Sequence, residues 1–93
     1  TTTEGLRQLR SQIDELDNQL MDLLAKRMRV CREIGTYKKE HNMTVLQATR
    51  YNEILEKRGA QASLCGMNPE FAAQVFEHIH EESVRQQLDI VNQ

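Results

Sequence analysis

The stretch LRSQIDELDNQLMDLLAKRMRVCREIGTYK, residues 9–38, decides the fold. Leu9, Ile13, Leu16, Leu20, Leu23, Val30, Ile34 and Tyr37 recur at alternating steps of four and three, and Arg27 occupies the one place in the series where a leucine belongs. This spacing predicts one long amphipathic helix with an apolar seam. A cation in that seam has to be reconciled with its surroundings, because burying an uncompensated charge is costly even after the structure relaxes. Either the guanidinium reaches water along its own methylenes or an anion meets it inside.

Outward from this stretch, the first helix is expected over residues 4–40, opened by Thr3 as a cap and Glu4 in the first turn, with Gly35 its only interior weak point. At 1.5 Å per residue it makes a rod of roughly 54 Å, longer than a compact domain of this size is wide, so its own chain cannot cover it. The polar run His41-Asn42-Met43-Thr44 breaks the pattern. A second helix is expected over residues 48–60, with Tyr51, Ile54 and Leu55 turned inward and Gly59 ending it or beginning its fraying. Residues 63–67 read as a loop, and Asn68-Pro69-Glu70 is a strong start signal for a third helix over residues 69–91. Its stripe is Ala72, Val75, Phe76, Ile79, Ser83, Gln87, Ile90 and Val91, so it too turns polar on the side where apolar residues should continue. The fold class is therefore all-α, with three helices (one very long, one short, one medium) in a single domain over residues 1–93.

Composition excludes several classes. Twelve basic against 14 acidic residues, spread without a basic run, give a net charge of −2 and no footprint for nucleic acid or a membrane surface. The only rings of Phe and Tyr type are Tyr37, Tyr51, Phe71 and Phe76, too few for a base-stacking platform. Cys31 and Cys65 stand far apart with no CxxC, which points to reduced thiols in a cytoplasmic protein. His78 and His80 diverge on a helix and cannot share a metal, so no metal site is expected. No apolar run approaches a bilayer span and no signal peptide is expected. The chain opens Thr1-Thr2-Thr3 without methionine, which fits processing or excision from a longer protein.

Arg27 and Lys38 lie about 16 Å apart along the predicted rod, within reach of one anion between them. Arg10, about 42 Å from Lys38, cannot join them within its own chain. If two rods pack antiparallel about a dyad near Leu20, Arg10 of one falls opposite the interval between Arg27 and Lys38 of the other. The exposed seam asks for such a homodimer independently. A plain antiparallel coiled coil predicts the same dimer but gives no reason for Arg27, Ser83 and Gln87 to point inward.

These residues resemble the all-helical (AroQ-class) chorismate mutases. The likeness runs from Leu9-Arg10 through Leu23-Leu24-Ala25-Lys26-Arg27, Ile34-Gly35-Thr36-Tyr37-Lys38, Arg50 and Glu53-Ile54-Leu55 to Glu82-Ser83-Val84 and Gln86-Gln87. It implies an intertwined homodimer with shared active sites and a cofactor-free Claisen rearrangement of chorismate to prephenate in aromatic amino-acid biosynthesis. The resemblance further implies that Arg10 of the neighbouring chain and Arg27 hold the substrate's two carboxylates, supported by Arg50 and Ser83. It gives Lys38 and Gln87 hydrogen bonds to the breaking ether bond. Arg10, Arg27, Lys38 and Arg50 are then cations with no obvious carboxylate partner among the pocket positions, a frustration that a dianion relieves. Two positions depart from the family: Tyr51 and Gln47 stand where carboxylates are common, which bears on the contact to the substrate's ring hydroxyl. This leaves an isochorismate pyruvate lyase of the same fold as one alternative. A non-catalytic dimerisation or metabolite-sensing module of a fused enzyme is the other.

Overall fold

The computed structural model describes residues 2–93. Its regular elements are three helices, α1 (Thr2–Glu40), α2 (Ala48–Leu64) and α3 (Pro69–Val91), so the all-α expectation holds. The chain divides into two compact units, residues 1–30 and 31–93. The first consists of the N-terminal part of α1, with Glu4 set 3.7 Å from Arg7 near its start. Along it Leu9, Ile13, Leu16, Leu20 and Leu23 are all exposed, while Leu24, Arg27 and Met28 are half-buried. Arg27 is thus more covered than its apolar seam neighbours Leu23 (62% exposed) and Val30 (52%), the reverse of what side-chain polarity alone dictates.

The second unit holds the last turns of α1 together with α2 and α3. Its apolar core is Cys31, Val45, Ile54, Ala62, Ala72 and Ile90, and the two buried polar side chains are Ser83 and Gln87. α2 packs along α3, turning Tyr51, Ile54, Leu55 and Ala62 inward, as the 3–4 spacing requires. Val75, expected on the inner stripe of α3, is exposed.

Both loops are set by helix-ending motifs. At the end of α1, Asn42 adopts a left-handed φ of 55°, Met43 N–H donates to Lys38 O (2.8 Å) and Asn42 N–H to Lys39 O (3.4 Å), satisfying carbonyls that the last turn would otherwise orphan. At the end of α2 the same pattern recurs around Gly66 (φ 73°), with Met67 N–H donating to Ala62 O (2.8 Å) and Gly66 N–H to Ser63 O (3.3 Å). Here the sequence expectation is corrected. α2 continues through Gly59 to Leu64 rather than stopping near residue 60, and Ser63 and Leu64 are helical. A glycine inside a helix costs about 1 kcal/mol against alanine without ending it; the terminator is the glycine whose left-handed φ closes the motif. α3 starts as read: Asn68 Oδ1 accepts from Glu70 N–H at 2.9 Å, with Pro69 in the first turn.

Gly35, the weak point of α1, has a structural reason. A Cβ there would stand 3.0 Å from Gln87 Cα and 3.4 Å from Gln87 O. Only hydrogen at this position lets α1 approach the α3 backbone so closely. Gly35→Ala gains up to about 1 kcal/mol of helix propensity while pushing α3 by a few tenths of an ångström at Gln87. Thermal stability is therefore expected to change little, and the chemistry that depends on Gln87 should suffer more. Gly35→Val, with two further methyls against backbone, should destabilise by about 1–3 kcal/mol. Thermal melts and activity of the two variants check the pair.

Candidate active site

The buried polar centre of the second unit joins three parts of the chain. Lys38 Nζ, on the last turns of α1, donates to Gln87 Oε1 of α3 at 2.8 Å and to Val45 O of the α1–α2 loop at 2.9 Å. Gln87 is only 7% exposed. Because lysine can only donate, the amide oxygen faces it and the amide NH2 is turned to another direction. Burial penalises the ammonium and lowers the Lys38 pKa below that of an ordinary lysine, an effect partly opposed by Cys31. Ser83, one turn earlier on α3 and 4% exposed, donates its hydroxyl to Ile79 O at 2.8 Å.

Polar contacts flank this centre. Arg32 Nη1 donates to Gln86 Oε1 (2.8 Å), Gln86 Nε2 to Glu82 Oε1 (2.9 Å), and Lys39 Nζ to Gln93 O (2.7 Å), so the end of α1 is tied to α3 at Gln86 and to Gln93 just beyond it. Hydrogen bonds from Arg85 and Gln86 hold the Glu82 carboxyl down to about 2, leaving it ionised throughout the neutral range.

Beside Val45 the chain turns into α2 and opens a cavity of about 390 Å³, lined by Leu46, Gln47, Ala48, Tyr51 and His80. Gln47 is the N-cap of α2, but its side chain makes no capping bond. The Tyr51 and His80 rings lie with centroids 4.5 Å apart at 38°.

The family model for chorismate mutase type II matches residues 9–88. The chain belongs to that family. Among its relatives, the T-protein of Haemophilus influenzae is 31% identical over 80 residues, covering 86% of this chain and 21% of the T-protein. The bifunctional chorismate mutase/prephenate dehydratase of Buchnera aphidicola subsp. Schizaphis graminum is 30% identical over 83 residues, 89% of this chain and 22% of that protein. The 4-amino-4-deoxychorismate mutase of Streptomyces pristinaespiralis is 29% identical over 83 residues, 89% of this chain and 64% of that protein. This chain thus spans about a fifth of the longer relatives.

Of the residues the family resemblance singles out, Lys38 and Gln87 are in direct contact, with Ser83 on the same buried face of α3, and Gln47 and Tyr51 share the adjoining cavity. Arg50 lies on the exposed side of α2, 3.8 Å from Glu53 one helical turn on, which is not among the pocket positions. Arg10 is exposed and Arg27 half-buried, both in the first unit. Two contributors escaped the sequence reading. Val45 acts through a backbone carbonyl, which no residue-type pattern reveals. His80 was detectable, since His80, Ser83 and Gln87 follow one another at steps of three and four and continue the polar stripe. Among the described residues, no group of three or more His, Cys, Asp or Glu side chains is placed to hold a metal ion, and no helix is long and apolar enough to cross a membrane.

Proposed function

We propose that this chain is a chorismate mutase that converts chorismate to prephenate without a cofactor, working as a homodimer with two shared sites. The observation that carries the reading is the Lys38 to Gln87 hydrogen bond, with Gln87 buried and Val45 O fixing the ammonium. A half-buried lysine hydrogen-bonded to a buried glutamine, with no carboxylate on the pair, calls for a reason. A pair of donors aimed at one oxygen accounts for it. As the ether C–O bond of the substrate lengthens, negative charge grows on that oxygen, and prepositioned donors stabilise the transition state more than the ground state. The remaining contribution is conformational: the reaction needs the compact conformer with the two ends of the substrate close, and cations gripping its two carboxylates hold it there. No nucleophile and no general base take part.

In this reading Arg27 and the partner chain's Arg10 grip the carboxylates, with Arg50 and Ser83 in support. The exposed stripe Leu9, Ile13, Leu16, Leu20 and Leu23 is the dimer face, since an apolar surface of that length on a water-soluble helix calls for a partner. Both cysteines are free thiols, Cys31 buried and Cys65 exposed, which suits a reducing cytoplasm. The length of the relatives is compatible with a fused enzyme domain beside this one.

Incubation with chorismate tests the activity: the expected result is loss of diene absorbance with prephenate formed and no pyruvate released. A folded dimer that leaves chorismate unchanged overturns the reading, and stoichiometric pyruvate would replace it with the lyase. Sharing of sites has its own test. Arg10→Ala and Arg27→Ala should each lose about tenfold or more in kcat/KM. Unfolded and refolded together in equal amounts, they should recover about a quarter of wild-type activity, because half the dimers are mixed and each mixed dimer holds one intact site out of two. No recovery would mean that each chain builds its site alone.

A further inference from the structure

The last turns of α1 and the C-terminal half of α3 run side by side in the same direction: Arg32 meets Gln86, Gly35 lies against the backbone of Gln87, and Lys39 reaches Gln93 O. The glycine contact brings the helices close but is not directional, whereas the hydrogen bond from Lys38 to Gln87 Oε1 at 2.8 Å weakens steeply once its angle closes. Something else has to hold α3 in register on α1. One residue before Gln87, Gln86 Oε1 accepts from Arg32 Nη1 across the two helices at 2.8 Å, and Gln86 Nε2 donates to Glu82 Oε1 one turn back at 2.9 Å. Glu82 is gripped in turn by Arg85, whose Nε donates to Oε2 at 2.8 Å, and Arg85 lies 3.6 Å from Asp89. A cation at its oxygen and a carboxylate at its nitrogen leave the Gln86 amide only one way round, and both bonds are charge-assisted.

Resting on the mutase reading, we infer that Gln86 is a positioning residue for the reaction: clamped between Arg32 and Glu82, it fixes the register of α3 on α1 and so aims the Gln87 amide at Lys38. Neighbouring residues of one helix move as a unit, so any turn or slide of α3 that stretches the Arg32 to Gln86 bond carries Gln87 with it. Misplacing a reacting group by about 1 Å can cost up to about 10²-fold in rate, which gives a contact on the outside of the helix pair leverage over the chemistry inside. The clamp does not weaken across the neutral range, because its carboxyl, held down to about 2, stays ionised there. Arg32 is exposed and Gln86 half-buried, so both can be replaced without opening the core.

Two readouts on the intact protein test this: kcat and KM for chorismate, and the pH titration of the Lys38 ammonium followed by NMR of its ε-carbon. The groups that bear on that ammonium are the Gln87 amide of α3, Val45 O of the loop and the Cys31 thiol of its own helix. Gln86→Met, which changes no charge, and Arg32→Ala should each lower kcat about tenfold with KM less affected. Both should raise the Lys38 titration toward the ordinary lysine range, because water reaches an ammonium that α3 covers less closely. Gln86→Glu, which sets a second carboxylate against Glu82, should be slow as well. Adding Glu82→Gln to it rebuilds both bonds with acid and amide exchanged and the net charge unchanged, and should restore most of the kcat and the lowered titration. Asn68→Ala removes the cap at the opposite end of α3, so it should lower the melting temperature while leaving kcat and the titration in place. An unmoved kcat or an unmoved titration in Gln86→Met and Arg32→Ala overturns the inference, as does a double variant no better than Gln86→Glu, or an Asn68→Ala that shifts the titration as far as they do. Should the wild type leave chorismate unchanged, the mutase reading fails, and the clamp is then judged on the titrations alone by the same outcomes.

Discussion

Lys38→Ala is expected to lower kcat for chorismate by about 10²–10³-fold, the loss that follows removal of one preorganised donor at a developing oxyanion, or about 2.7–4 kcal/mol of transition-state stabilisation. Two effects act together. The ammonium proposed to donate toward the ether oxygen disappears, and Gln87 Oε1 and Val45 O lose the donor they accept from. Lys38→Arg should rescue poorly, because a planar guanidinium cannot meet three acceptors from one tetrahedral point. In the proposed mechanism the same residue sets the alkaline limit of activity. Burial disfavours the charged form of Lys38, so its proton leaves at a lower pH than that of an ordinary lysine, near 10.4. Activity depends on the protonated form and falls as pH rises through the lowered pKa. A pH profile of kcat/KM should therefore bend down below the ordinary lysine range, and the residual activity of Lys38→Ala should lack that bend. A loss smaller than about tenfold in Lys38→Ala would remove Lys38 from the chemistry.

The legibility of this site in the sequence depended on the kind of signal each residue gave. Ser83 and Gln87 were visible because side-chain polarity conflicts with helical period, and the structure buries both. Asn68-Pro69-Glu70 was visible because capping chemistry is local. Arg27 was conspicuous for the same reason as Gln87, and its half-burial among more exposed leucines shows that periodicity locates a misfit without saying which flank of the helix is covered. Where the reading failed, the deciding feature was not a residue type. Gly59 and Gly66 are the same amino acid; only the second has the left-handed φ that ends a helix. Val45 contributes a carbonyl that every residue has. The role of Gly35 was half-legible: a helix-weakening residue in a strong helix signals a close approach, but the partner, the Gln87 backbone, lies too far along the chain for any local pattern to name it.

Gln87→Glu should convert an enzyme active across the neutral range into one active only in acid. The wild-type amide has one accepting and one donating end, and the lysine fixes which is which, so that in the proposed mechanism the NH2 is the donor for substrate. A glutamate keeps the accepting end for Lys38 at any pH. Its second oxygen donates only when protonated; once ionised it presents a negative charge to an ether oxygen on which negative charge is growing. At pH 8 the expected loss in kcat is again about 10²–10³-fold. Acidification should recover activity as the carboxyl gains its proton. Two influences set where that recovery lies: burial raises the pKa of the new carboxyl, and the Lys38 ammonium about one hydrogen bond away lowers it. Lys38→Met in the Gln87→Glu background removes the second influence and should move the recovery to higher pH, although from a lower maximum. Gln87→Met, the same length without donor or titration, should be slow at every pH. The three profiles separate a donor at the reacting oxygen from a buried spacer: if Gln87→Glu is as active at pH 8 as at pH 5, or Gln87→Met retains wild-type turnover, the amide NH2 does not face the bond that breaks.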